Sequence, residues 1–168
     1  MKKVFFTMIL SIALLSGYAQ NSLPSVKVLS LNGESFSTDS ILNSGKPIII
    51  SFWATWCKPC MKELNSIADV YEEWVAETGV ILVAVSIDDS RTTNQVPSVV
   101  KGKAWPYLVL RDPNGDLKRA MNVNQVPHTF ILDANRNIVW QHTTFAEGGE
   151  LLLIDVVKKV AKGEPITE

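Results

Sequence analysis

The run Ile48-Ile49-Ile50-Ser51-Phe52-Trp53 leads straight into Ala54-Thr55-Trp56-Cys57-Lys58-Pro59-Cys60, and no other stretch of the chain constrains its fold as tightly. A continuous β-branched and aromatic run suits a central strand buried on both faces. Apolar residues then recur at Met61, Leu64, Ile67, Ala68, Tyr71, Trp74 and Val75, a spacing of three and four that predicts a helix over Cys57–Glu77 with one buried stripe. Gly79 is placed to end it as a C-terminal cap. A buried strand, a tight turn and an amphipathic helix therefore follow one another, with both cysteines of the chain at the last junction.

That context turns a bare Cys-x-x-Cys into a chemical statement. At a helix N-terminus the free backbone N–H groups and the positive end of the dipole stabilise a thiolate. Cys57 is expected there as the exposed nucleophile, with Lys58 adding a positive charge beside it. Cys60, one turn on, is expected to face inward and to resolve the mixed disulfide that Cys57 forms. Positions three apart on a helix are neighbours, within reach of a disulfide. Pro59 falls in the first turn, where a missing N–H is harmless. An inert staple is the alternative, but a loop this short removes little chain entropy. Copper(I) held by the two thiolates with His128 or His142 is another, although neither histidine has helical or hairpin spacing to the cysteines. Two cysteines are too few for a four-ligand thiolate zinc site.

The rest of the chain reads as a β-hairpin, then β-α-β-α-β, then β-β-α. Asn32-Gly33 between Val26–Leu29 and Glu34–Ser37 is a hairpin signal. Asp39–Asn43 is expected to form a helical turn capped by Thr38 or Asp39. Val80–Ile87 and Tyr107–Leu110 read as strands. Between them a helix is expected over Thr92–Lys101, capped from Asp88-Asp89-Ser90, with Pro97 disturbing its register. Asp116–Met121 suggests a short helix, Thr129–Leu132 and Ile138–His142 two strands, and Glu147–Ala161 a final helix. Such alternation predicts an α/β fold on a mixed sheet.

Met1-Lys2-Lys3, an apolar run from Val4 to Leu15, and Gly17-Tyr18-Ala19 have the form of a secretory leader, residues 1–19, cleaved after Ala19. The run is short for a membrane span, which takes about 20 residues; left uncleaved, it would tether the protein to the membrane. The expected mature domain is then residues 20–168, in an exported compartment where disulfides form, the periplasm if the host is Gram-negative. Cleavage removes two lysines and no acid, so the formal charge moves from -1 to -3. No basic excess exists to meet a phosphate backbone, which argues against a nucleic-acid partner.

The segment Phe52–Cys60 resembles the active-site strand–turn–helix of the thioredoxin superfamily. With the leader, Glu63 and Val126-Pro127-His128-Thr129-Phe130-Ile131-Leu132, the chain is most similar to the exported TlpA/ResA-like thiol:disulfide oxidoreductases, from about Leu23 to Gly163. The resemblance implies a thioredoxin-like three-layer fold, its central mixed sheet of four or five strands flanked by helices, with the N-terminal hairpin added and a strand–helix insert inside Val80–Leu110. It implies that Pro127 is a cis-proline beside the cysteines and that Val126 offers backbone groups to an extended substrate segment. It also implies that Glu63 joins Cys57 and Cys60 in the catalytic set, relaying the proton of Cys60. A solvated helix charge is the plainer reading of Glu63. Ser51 stands where cytosolic-type thioredoxins carry an aspartate, which shifts that duty to Glu63.

His128 occupies a position where the family more often has a small residue. Its imidazole is expected either to reach the substrate and tune the thiolate or to point away along its strand. Trp53 is expected in the core and Trp56 in an apolar rim where substrate docks. The resemblance implies protein thiols and disulfides as substrates, no cofactor, a membrane electron donor, a soluble monomer, and a reducing direction of the kind that serves cytochrome c maturation. An oxidase, an isomerase or a copper(I) chaperone are the alternatives. A peroxidase would carry threonine three residues before its cysteine, where this chain has Ala54.

Overall fold

The computed structural model describes residues 22–166; the expected leader lies outside the described residues. A mixed sheet runs in the order β2-β1-β5-β4-β3-β6-β7. Its strands are β1 (Lys27–Ser30), β2 (Ser35–Ser37), β3 (Ile48–Trp53), β4 (Ile81–Ser86), β5 (Leu108–Arg111), β6 (His128–Leu132) and β7 (Ile138–Thr143). The helices are α1 (Lys58–Thr78), α2 (Val96–Lys103), α3 (Asp116–Ala120) and α4 (Gly149–Lys162). No helix among the described residues is long and apolar enough to cross a membrane.

β3 lies near the middle of the sheet, parallel to β4 and antiparallel to β6, and every one of its residues is buried. Its alternating side chains feed two cores. Ile49 and Trp53 meet Leu64 and Ile67 of α1, Val96 and Val100 of α2, and Leu153 and Val157 of α4. Ile48, Ile50 and Phe52 face the other way, onto Leu117 of α3, Met121 and Phe130. Helices on both faces of one sheet give the expected three layers, and neither core forms without a strand that is apolar on both sides.

The sheet has seven strands rather than four or five, because the N-terminal hairpin is not an appendage. β1 pairs with β5 as well as with β2, and so extends the sheet. The hairpin turns at Gly33, where φ is 89°, a conformation open chiefly to glycine. α1 ends at Gly79 in the same left-handed region, its N–H returning to the Val75 carbonyl.

Two local expectations are corrected. The turn after β2 is a 3-10 helix, Thr38–Ser40, capped by Ser37. The Thr38 hydroxyl is engaged elsewhere, donating to the Pro24 carbonyl at 2.6 Å and accepting from Val26 N–H at 2.9 Å. Likewise, the expected helix over Thr92–Lys101 divides into a 3-10 turn, Thr93–Gln95, followed by α2. Pro97 lies in the first turn of α2, where its ring fits. Together α2 and β5 make up the strand–helix insert.

Candidate active site

Cys57 is the N-cap of α1 and is bonded to Cys60, with Cα atoms 5.3 Å apart. The Cys57 sulfur also accepts the Cys60 backbone N–H at 3.2 Å. This is one of the orphan donors that a helix leaves at its start. Cys57 was expected to be exposed, and here a correction is needed: it is 5% exposed and Cys60 1%. Both sulfurs belong to the cluster that holds Trp53, Ala54 and Leu64, with Met61 and Val126 packed against it. The exposed part of the motif is its surround: Trp56, 61% exposed, with Lys58 and Pro59. Trp53 is wholly buried and meets Trp105 edge to face at 4.9 Å.

The Val126–Pro127 peptide is cis. It immediately precedes β6, which pairs directly with β3, the strand leading into the cysteine turn. Pro127 is buried and Val126 half-buried.

Glu63 is 1% exposed, so the solvated reading fails for this side chain. Its Oε1 accepts the Thr129 hydroxyl at 2.8 Å and lies 3.1 Å from His142 Nε2. Thr129 Oγ1 also lies 3.0 Å from Ser51 Oγ. A hydroxyl has one proton; with Thr129's given to the carboxyl, Ser51 supplies the other hydrogen bond. Ser51, Thr129 and His142 are register partners across β3, β6 and β7. They form one polar row on the sheet face that α1 covers, with Glu63 lowered onto it from the helix. Tyr107 closes the same region, its hydroxyl donating to the Leu64 carbonyl at 2.8 Å. Burial first, then the Glu63 charge and Tyr71, push that phenol well above the ordinary tyrosine range.

His128 goes the other way. Adjacent strand residues point to opposite faces, so Thr129 on the α1 face puts His128 on the far one. Its ring stacks on Phe130 at 4.2 Å, and Nε2 lies 3.0 Å from Gln141 Oε1. Burial, reinforced by His142 and opposed by the Gln141 hydrogen bond, holds its imidazole below the ordinary histidine range. The unfolded chain then takes up this proton near pH 6.5 while the folded chain resists it. Stability is fully present above the unfolded value and falls as the pH drops below it toward the folded value. Urea midpoints measured from pH 7.5 to 5 should decline, and His128→Phe, which keeps a ring over Phe130, should flatten part of that decline.

Asp88 escaped the sequence reading, which gave it to a helix cap. Fully buried, it accepts Thr55 N–H at 2.8 Å, the Thr55 hydroxyl at 2.5 Å and the Ser86 hydroxyl at 2.8 Å. It thereby pins the turn between β3 and Cys57. Asp88→Ala strands these donors in the interior, and a loss of about 3 kcal/mol in chemical denaturation is expected. Among the described residues no group of three or more His, Cys, Asp or Glu is arranged to hold a metal ion. His142 faces Glu63 and His128 faces Gln141, and no thiolate–histidine cluster forms from them.

A helix-capping disulfide, a cis-proline just before the adjoining strand and a sheet covered on both faces define a thioredoxin-like protein. The chain belongs to the AhpC/TSA family, whose model matches residues 19–141. It is similar in structure to an uncharacterized thioredoxin-like protein from Porphyromonas gingivalis, 48% identical, with a TM-score of 0.74 over 83% of this chain and 92% of that one. It is 34% identical to the thiol-disulfide oxidoreductase ResA of Oceanobacillus iheyensis over 56% of this chain and 47% of that protein. With the sporulation thiol-disulfide oxidoreductase A of Bacillus subtilis it shares 29% identity over 71% of each. The chain spans 47% to 64% of the length of the ResA proteins from Oceanobacillus iheyensis and Bacillus thuringiensis.

Proposed function

We propose that this protein is an exported thiol:disulfide oxidoreductase that reduces disulfides of other exported proteins through the Cys57–Cys60 couple. The observation that carries the reading is the cysteine pair itself, at the start of α1 with a buried carboxyl three residues on along the same helix. In the reduced state Cys57 is the thiolate, held by the helix N-terminus. It attacks a substrate disulfide and forms a mixed disulfide while one substrate thiolate departs. Cys60 gives up its proton by way of Glu63 and attacks the Cys57 sulfur. The intramolecular disulfide closes, and the second substrate thiolate leaves.

Trp56 supplies the exposed apolar surface against which substrate rests, and Val126 beside cis-Pro127 offers backbone hydrogen bonds to an extended segment. Lys58 and Pro59 shape the rim between the sulfurs. His128 drops out of the substrate-binding set, because its ring is committed to the far face of the sheet. Export rests on the leader-like residues 1–19, and the electron source is a thiol protein or membrane donor that restores the dithiol.

The test is the reduction potential of the pair, measured by equilibrating the protein against glutathione or dithiothreitol buffers. A value near that of thioredoxin, about -270 mV, is expected. A value near that of the strong oxidant DsbA, about -120 mV, would reverse the direction and make the protein a disulfide donor.

A further inference from the structure

We infer that His142 is the solvent end of a proton path that serves Cys60 through Glu63. The assignment rests on the oxidoreductase reading above and adds to it the route by which the proton leaves. Cys60 is 1% exposed and Glu63 1%, so neither exchanges protons directly with water. Glu63 Oε1 has two hydrogen-bond partners, Thr129 and His142. The Thr129 branch is closed: that residue is 0% exposed and leads only to Ser51, itself 1% exposed. His142 is different. Its side chain is 21% exposed and lies on β7 at the edge of the sheet. Of the groups bonded to this buried carboxyl, His142 alone touches both it and solvent.

The proton count closes over a full cycle. When the disulfide forms, the Cys60 thiol passes its proton to Glu63. Glu63 passes it to His142 Nε2, and the ring releases its Nδ1 proton to water. The ring is left as the Nε2–H tautomer. When the disulfide is reopened by the electron donor, Cys60 leaves as a thiolate and the same steps run backward. Nδ1 takes a proton from water, Nε2 yields one to Glu63, and Glu63 returns it to the thiolate. The ring regains its starting tautomer without rotating. His142 acts through Glu63 and does not touch the sulfurs, so it is a positioning and relay group rather than a catalytic residue. The titratable groups around it are Glu63 from α1, His128 from β6, whose own protonation the His142 charge disfavours, and Tyr107, which lies near Glu63.

The reduced full chain would be mixed with 5,5′-dithiobis(2-nitrobenzoate) in a stopped-flow instrument. The first release of thionitrobenzoate reports attack by Cys57, and the second reports resolution by Cys60. His142→Gln is expected to leave the first phase intact and to slow the second about tenfold or more near neutral pH. Added imidazole should restore much of the loss. In Glu63→Gln the second phase should be slow already, and adding His142→Gln should cost nothing further.

An unslowed second phase in His142→Gln, with Glu63→Gln slow, would overturn the role of His142 alone. An unslowed second phase in Glu63→Gln would remove the relay and His142 with it. A His142→Gln chain slowed in both phases and deaf to imidazole would mean a packing role only, and would also overturn the assignment. The absence of a first phase in the unmodified chain would instead defeat the oxidoreductase reading.

Discussion

Cys57→Ser is expected to abolish disulfide exchange, and Cys60→Ser to stop it halfway with substrate still attached. The asymmetry follows from the places of the two sulfurs on α1. The Cys57 sulfur caps the helix and already accepts the Cys60 N–H at 3.2 Å. A charge-assisted version of the same hydrogen bond, together with the helix dipole, favours the thiolate. A serine hydroxyl there has no comparable nucleophilicity at neutral pH. The loss should exceed about 10³-fold. Cys60 lies a turn further in and has no such cap. Cys60→Ser leaves attack by Cys57 untouched, so a covalent adduct accumulates, and mass spectrometry should find one substrate per chain. An adduct on the Cys57→Ser chain, carried by Cys60, would exchange the roles of the two cysteines.

The backbone of this site was legible in the sequence because each of its signals is local. β3 is apolar on both faces, α1 carries its stripe at intervals of three and four, and Gly79 ends it. Strand, turn and helix fall within a few residues of the positions that the pattern predicts. The hairpin at Gly33 was equally plain, but its attachment to β5 was not. That pairing joins Leu29 to Arg111, about half the chain apart, and nothing in either strand specifies its partner.

The polar chemistry was hidden for the same reason. Ser51, Thr129 and His142 become neighbours only when β3, β6 and β7 are paired in register. Ser51 looked like the loss of an acid and His142 like a candidate copper ligand. In the fold both serve one carboxyl, Ser51 through Thr129 and His142 directly. Asp88 was misassigned because an Asp-Asp-Ser sequence signals a helix cap wherever it occurs. Its true partner, Thr55, lies on the other side of the β3–α1–β4 unit. Strand alternation was the one clue that could have placed His128: if Thr129 faces the helix, its neighbour cannot.

Glu63→Gln should separate stability from catalysis. The Glu63 side chain is buried, with Oε1 occupied by Thr129 and His142 and Oε2 without a hydrogen-bond partner. Keeping a carboxyl oxygen unpaired in the interior costs about 1–3 kcal/mol. Glutamine retains the carbonyl oxygen that Thr129 and His142 approach, and puts an uncharged NH₂ in place of the lone oxygen. It keeps the packing, and its NH₂ is no better paired than the oxygen it replaces. The folded chain should therefore stay within about 2 kcal/mol of the original, with an unchanged denaturant slope. An amide cannot accept the Cys60 proton, so resolution should slow about 10²-fold near neutral pH and depend more steeply on hydroxide. A purely structural Glu63 gives the opposite pattern, with lower stability and an unaltered resolving rate. A buried side chain whose replacement costs much rate and little stability is held there for its chemistry, and that contrast is how such an origin would show itself at this position.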